Sequence, residues 1–293
     1  VLEACGSAHW WARELRALGH EPVLLHARYV RPFVQTNKTD AADAKAIWTA
    51  AQQPGMPVVA AKTESQQSVL VLHGLRQLRI KMRTMLINQL RSLLFEFGLT
   101  FRKGACAGLH EIVERMAEIE QHVPPMLLEF VQMHLQSIER AEEEVARLDQ
   151  CIEAWGRQNR SCRTILAIPG IGMLTATAMV ATIGDARTFK SGRQLAAYLG
   201  VVPKQTGTGG KVRLGGISKR GDPYLRTLLI HGARVVLSHL RRKNQGSWSE
   251  TLAQRRPTNV VAVAMANKTA RTVWALLAHD RAYDRDYVSV RPA

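Results

Sequence analysis

The chain has 293 residues, 46% of them hydrophobic, and 40 Lys and Arg against 24 Asp and Glu give a net charge of +16. That apolar content excludes a disordered basic tail, and the length suffices for two domains with cores of their own. The charge is uneven: residues 1–156 hold 17 cations and 18 anions, a balance of −1, whereas residues 157–293 hold 23 and 6, a balance of +17.

A surface that basic repels itself unless it meets a polyanion, so the C-terminal half reads as nucleic-acid-binding. The other reading is a supercharged but inert soluble surface. Cys5, Cys106, Cys151 and Cys162 are scattered and form no Cys-x-x-Cys pair. This argues against a zinc ribbon and a disulfide framework, and points to a reducing cytoplasm. There is no signal-peptide pattern and no apolar run of membrane-spanning length. Val1-Leu2-Glu3 reads as the end of a strand, and the expectation is that the natural N-terminus lies upstream.

Residues 1–60 have an α/β pattern: a strand into Glu3, a helix over about 7–18 stopped by Gly19-His20, and a short buried strand at 22–26. Thr39 is a good N-cap for a helix running to Ala51, with Pro54-Gly55 beyond it. Strand, crossover helix and second strand predict a sheet with helices packed on it. Asp40 and Asp43, three apart, share one helix face. A carboxylate at the tip of the first strand, Glu3, facing them would complete an oxygen-lined pocket for Mg²⁺, a cation that takes few carboxylates plus substrate phosphate.

Residues 64–97 form one long helical pattern, with Leu72, Leu75, Ile80, Met82, Leu86, Leu90 and Leu94 as apolar stripe and Arg76, Arg79, Lys81, Arg83 and Arg91 beside it. A second pattern over 125–155 carries Leu127, Val131, Leu135, Ile138, Val145 and Leu148 at near-heptad spacing, with Glu139 and Glu142 to Glu144 outward. It reads equally as a coiled coil making a dimer contact or as one arm of a helical hairpin within the chain. The six tryptophans include Trp10, Trp11, Trp155, Trp248 and Trp274 at helical positions, where core packing is expected.

From Cys162 onward the pattern is helical, with helices expected to Ile183 and over 189–199, 221–243 and 258–279. Ile168-Pro169-Gly170-Ile171-Gly172 between two helices reads as a helix-hairpin-helix, in which Gly170 and Gly172 free backbone amides to accept a DNA phosphate. The alternative is a structural turn joining packed helices. The run from Pro203 to Asp222 is glycine-rich, basic and hydroxyl-bearing, and lacks the spacing of a P-loop. Lys211, Arg213, Lys219 and Arg220 would neutralise a phosphodiester there; the plainer reading is a flexible nucleic-acid-contacting hairpin without chemistry. Farther on, His231 reads as a packed histidine, and Arg241-Arg242-Lys243 as a solvated or phosphate-facing cluster.

Glu3-Ala4-Cys5-Gly6-Ser7-Ala8-His9, Asn37-Lys38-Thr39-Asp40-Ala41-Ala42-Asp43-Ala44, Leu214-Gly215-Gly216-Ile217-Ser218-Lys219-Arg220-Gly221-Asp222 and Ile230-His231-Gly232-Ala233-Arg234 occur in this order. Together they resemble the insertion-sequence one-ten family of transposases, in particular its eleven-eleven group, over essentially the whole chain. The resemblance implies an α/β plus α fold: a truncated RuvC-like (RNase H-fold) domain over 1–100, a helical coiled-coil region over 101–160, and a mostly helical transposase domain over 161–293. It implies a four-carboxylate metal site in which Glu3, Asp40 and Asp43 match three members, the first aspartate falling on a strand before Val1. It also implies Mg²⁺ as cofactor, donor and target DNA and a structured guide RNA as partners, a homodimer or homotetramer, no membrane, and a cytoplasmic location.

In that family a C-terminal serine attacks the DNA phosphate to give a covalent intermediate, without ATP. The family pattern there is Ser-Thr-Gly-Gly or Ser-Ser-Gly-Gly, whereas this chain has Gly207-Thr208-Gly209-Gly210. Glycine cannot be a nucleophile, so Thr208 is the catalytic candidate, although its methyl group crowds in-line attack. The expected function is RNA-guided DNA cleavage and rejoining. The rival is a non-catalytic helix-hairpin-helix binding protein or an inactive transposase remnant.

Overall fold

The computed structural model describes every residue except Thr36, Lys38, 244–247, Asp286 and 288–293. The side chains of Arg241-Arg242-Lys243 also lie outside the described set, so that cluster has no structural account. The chain forms two compact units, one made of Val1–Val69 with Gly156–Ala293 and the other of Leu70–Trp155. Most of the chain is helical, with two small sheets, which is compatible with the α/β plus α expectation.

In the first unit β1 (Leu2–Glu3), α1 (Ala8–Ala17) and β2 (Leu24–Leu25) make a strand–helix–strand crossover, since β1 and β2 are parallel with Leu2 beside Leu24 and Glu3 beside Leu25. A four-residue helix α2 (Ala27–Val30), a 3₁₀ turn at Arg31–Phe33 and α3 (Asp40–Ala51) follow. The Thr39 hydroxyl accepts the Ala42 N–H at 3.2 Å and starts α3 where expected. The sequence reading missed β3 (Val58–Val59), which adds antiparallel to β2. Adjacent residues of a strand point to opposite faces. Leu24 accordingly packs with Ala8 and Ala12 of α1, and Leu25 with Ala46 and Ala50 of α3. Two leucines thereby fix a helix on each side of the sheet.

The long helix α4 (Glu64–Glu96) opens with a capping box. Thr63 Oγ1 accepts the Gln66 N–H at 3.1 Å, and Gln66 Oε1 accepts the Thr63 N–H at 3.0 Å. Its course from Leu70 belongs to the second unit, with α5 (Ala105–Glu114), α6 (Met116–His122) and α7 (Pro125–Gln158). Helices α5 and α6 were not foreseen. Their Ile112 and Ile119 close a core with Ile87, Leu90, Leu94, Val131 and Ile138. Ion pairs join Arg76 to Asp149, Arg79 to Glu144 and Arg83 to Glu142. The numbers rise along α4 as they fall along α7, so the two helices form an antiparallel hairpin within one chain.

The remainder of the first unit is α8 (Arg160–Leu166), α9 (Met173–Ile183), a 3₁₀ turn at Ala186–Thr188, α10 (Gly192–Tyr198), the strands β4 (Pro203–Thr208) and β5 (Lys211–Ile217), then α11 (Pro223–Lys243), α12 (Trp248–Ala253) and α13 (Thr258–Ala278). Every residue of α9 from Thr175 to Ala181 is buried, so this small-residue helix is the centre that α8 and α11 surround. Helix α13 packs on α8, α10 and α11, and Trp274 Nε1 donates to the carbonyls of Ala186 at 3.1 Å and Phe189 at 3.0 Å. Several tryptophans are not core residues as expected: Trp10, Trp11 and Trp248 are 45%, 48% and 52% exposed. Helical spacing gave their position but not which stripe faces the sheet. No helix among the described residues is long and apolar enough to cross a membrane.

Candidate nucleic-acid interface

The glycine-rich stretch folds as an antiparallel β-hairpin. Gly209 and Gly210 form its two-residue turn, with φ of +55° and +75°. Positive φ at both central turn positions matches the right-handed twist of paired strands, and glycine takes it without steric cost. Thr208 pairs with Lys211, Gly207 with Val212, Thr206 with Arg213 and Gln205 with Leu214. Residues opposite one another share a face. Lys204, Thr206, Thr208, Lys211 and Arg213 therefore make one cationic, hydroxyl-bearing face, while Gln205, Gly207, Val212 and Leu214 make the other.

Both faces are open. All of β4 is exposed, as is β5 apart from its last residue, with Val212 59% and Leu214 69% exposed. A bare two-stranded ribbon is marginal by itself, so its base must be held. The Ser218 N–H donates to the Val202 carbonyl at 2.8 Å and the Lys219 N–H to the Gly200 carbonyl at 3.1 Å. A Cβ on Gly200 would lie 1.8 Å from the Arg220 carbonyl oxygen, and one on Gly221 1.9 Å from that of Tyr198. These two glycines let the hairpin base and the end of α10 meet backbone to backbone. Arg226 on α11 adds a hydrogen bond to the Arg220 carbonyl at 3.2 Å, and Asp222 accepts the Tyr224 N–H at 2.7 Å, capping α11. Lys219, in the left-handed region at φ +52°, and Arg220 are exposed at this base, below the cationic face of Lys211 and Arg213.

Gly207 has its own reason. A Cβ there would sit 2.5 Å from the Lys211 carbonyl oxygen across the ladder. The serine of the family pattern does not fit this backbone, which leaves Thr208 as the hydroxyl beside the turn.

Gly170 and Gly172 stand in the turn between α8 and α9 and differ from each other. Gly170 has φ +87° and faces Gly232 of α11 so closely that a Cβ on Gly232 would lie 1.9 Å from the Gly170 oxygen. Gly172 is the exposed N-cap position of α9 with open space around it. The first glycine is thus explained by packing, and only the second presents a free helix start. His231, expected to be packed, is exposed, because α11 turns Gly232 and Ala233 inward instead. Arg234 donates to Asn259 Oδ1 at 3.0 Å.

The structure does not bring the three carboxylates together. Glu3 ends β1, half-buried; Asp40, exposed, and Asp43, half-buried, lie in the first turn of α3. Their oxygens suit Mg²⁺ chemically. Among the described residues, however, no three His, Cys, Asp or Glu side chains stand close enough to hold a metal ion. Helix α3 is held through Ala46 and Ala50 against Leu25 and Val30, on the sheet face that Glu3 shares as the partner of Leu25. At the start of α3 both aspartates also favour the helix dipole.

An unforeseen polar contact lies beside the sheet. Lys62 Nζ stands 3.0 Å from His9 Nε2, and Arg13 donates to the Lys62 carbonyl and to Gln67 Oε1, each at 2.9 Å. Burial, aided by the charges of Lys62 and Arg13, lowers the His9 pKa to about 4, and burial lowers that of Lys62 as well. Their separation of 53 residues hid the pair from any local reading.

A family model described as "Transposase IS116/IS110/IS902 family" matches residues 162–248, the span that contains the hairpin, both turn glycines and all of α11. The chain is 47% identical to a Pseudomonas aeruginosa protein named "Probable family 20 transposase", over 97% of this chain and 85% of that protein. It is 39% identical to the "Transposase for insertion sequence element IS1111A" of Coxiella burnetii, over 97% and 78% of the two chains. With the "Transposase for insertion sequence element IS1328" of Yersinia enterocolitica the identity is 35%, over 94% and 82%.

Proposed function

The chain belongs to the IS116/IS110/IS902 family of insertion-sequence transposases, and from that premise we propose an RNA-guided recombinase that cuts and rejoins donor and target DNA through a covalent protein–DNA link. The observation that carries the reading is the exposed hairpin β4–β5, whose one face combines Lys204, Lys211 and Arg213 with the hydroxyls of Thr206 and Thr208. Cations on an exposed ribbon neutralise backbone phosphates, and a hydroxyl held among them meets phosphorus.

In the proposed step Thr208 Oγ1 bonds to phosphorus and the bond from phosphorus to the deoxyribose oxygen breaks. The threonine proton passes to the departing sugar oxygen. Attack by a second DNA hydroxyl reverses these changes and frees Thr208. Lys211, directly across the ladder, and Arg213 offset the charge that gathers on the phosphate oxygens. Gly172 at the start of α9 adds a backbone contact, in the manner of a helix-hairpin-helix, and Lys219 and Arg220 extend the basic track along the base.

The α/β part of the first unit is proposed as a RuvC-like domain. Asp40 and Asp43 would hold Mg²⁺ together with the DNA phosphate, and Glu3 is not joined to them as a preformed cage. When bound, the ion would polarise that phosphate. Assembly as a homodimer or homotetramer on a structured guide RNA completes the proposal.

The test is an adduct assay with the protein, its guide RNA, element-end DNA and Mg²⁺. Denaturing electrophoresis and peptide mass spectrometry should find nucleotide on Thr208, with the adduct lost in Thr208→Ala and in Asp40→Asn. DNA bound without any adduct would reduce the protein to a binding role.

A further inference from the structure

His9 and Lys62 meet twice. The Lys62 backbone N–H donates to His9 Nδ1 at 3.3 Å, and Lys62 Nζ stands 3.0 Å from Nε2 of the same ring. A neutral imidazole has one acceptor nitrogen and a charged one has none. The backbone N–H cannot give up its proton, so the donor count makes Nδ1 the acceptor and puts the ring hydrogen on Nε2. Nε2–H can then donate to Nζ only where the amine offers a lone pair. An ammonium, with three donors and no acceptor, would set donor against donor. Half-burial of both residues and the cation of Arg13, whose Nη1 donates to the Lys62 carbonyl and to Gln67 Oε1 at 2.9 Å each, favour the same uncharged amine. The lowered pKa values of His9 and Lys62 agree with it, and among the described residues no carboxylate forms an ion pair with Lys62.

We propose that Lys62 is an amine nucleophile held uncharged by His9, and that acyl phosphates modify it at Nζ. A free amine attacks an acyl carbon and an ammonium does not. In the step Nζ bonds to the carbonyl carbon, the bond from that carbon to the phosphate oxygen breaks, and the proton displaced from the amine leaves on the phosphate. Arg13, beside the amine, is a docking cation for the phosphate of the donor. The product is an amide, whose nitrogen no longer accepts from Nε2–H. Acylation thus undoes the side-chain tie between α1 and the segment leading into α4. The site is separate from the hairpin and its DNA chemistry, and does not depend on them.

The experiment incubates the whole protein with acetyl phosphate from about pH 6 to about pH 10, and peptide mass spectrometry follows acetylation lysine by lysine. Near neutral pH Lys62 should react at least about tenfold faster than the exposed Lys45, Lys103 and Lys190. That lead should narrow as the pH rises and the exposed amines lose their protons as well. His9→Gln, whose amide oxygen accepts from an ammonium, should bring Lys62 down to the rate of the exposed lysines with an unchanged circular-dichroism spectrum. The parent unfolded in urea should lose the difference too, which keeps the comparison available if the variant does not fold. Lys62 reacting no faster than Lys103 at neutral pH would overturn the proposal. So would a fast Lys62 whose lead survives in folded His9→Gln, or one that stays the same at every pH.

Discussion

Thr208 and Lys211 stand opposite one another in the β4–β5 ladder, on either side of the Gly209-Gly210 turn. Register puts the hydroxyl and the cation on one face, so a phosphate met by Lys211 is met by Thr208 as well. A slip of one residue would send every side chain of one strand to the apolar face. The two-glycine turn, which pins the register, is therefore part of the proposed chemistry.

Gly207→Ala probes that register. The added Cβ would fall 2.5 Å from the Lys211 carbonyl, and backbone, not a movable side chain, must give way. Amide hydrogen exchange across residues 203–217 should quicken. The free energy of unfolding should stay within about 0.5 kcal/mol of the parent, because the ribbon adds little to the core. A loss of global stability would show that the hairpin packs where it is drawn as exposed.

Gly232→Ala probes the junction of α11 with the turn before α9. Its Cβ would lie 1.9 Å from the Gly170 oxygen, in a half-buried contact where the nearest atoms are backbone. Overpacking of this kind costs about 1–3 kcal/mol, read as a lower urea midpoint. An unchanged midpoint would mean that α11 can move away freely.

Acid should weaken the protein through two histidines, the buried His73 and the half-buried His9. Burial, with Lys62 and Arg13 nearby, lowers the His9 pKa to about 4, and burial with Arg76 does the same for His73, against a smaller opposing pull from Asp149. Both are lowered from the ordinary 6.5, so the unfolded chain binds protons first. The stability is whole above about pH 6.5 and is lost as pH falls toward about 4. Thermal midpoints across that window should drop, and His73→Gln should flatten the slope. A flat parent profile would contradict the burial of both rings.

Much of the fold was legible because local rules set it. Thr39 capped its helix, Gly98 lies just past the end of α4, and the crossover from Leu2 to Leu24 followed from apolar runs around one amphipathic helix. What stayed hidden depends on partners distant in sequence. The antiparallel match of Arg76 with Asp149 decided between the two readings of α7, and no spacing could do so. Gly170 pointed equally to a phosphate and to a neighbour until Gly232, 62 residues on, supplied the neighbour. At the hairpin, Gly209-Gly210 was a turn signal that made a hairpin one of the readings, whereas its strand register, fixed by pairing across the ladder, was not legible. The carboxylates matched a family pattern, but where a helix seats depends on packing, here Ala46 and Ala50, rather than on the motif.

The central claim is that the cationic face of β4–β5 holds the DNA backbone. It is tested most directly by the salt dependence of DNA affinity in the parent and in a Lys211→Ala, Arg213→Ala double variant. Each phosphate contact adds about 0.9 to the slope of log K against log salt. The double variant should bind at least about tenfold more weakly at low salt, with the slope shallower by about 2 and little change in sequence preference. Equal affinity and equal slope in parent and variant would contradict the account.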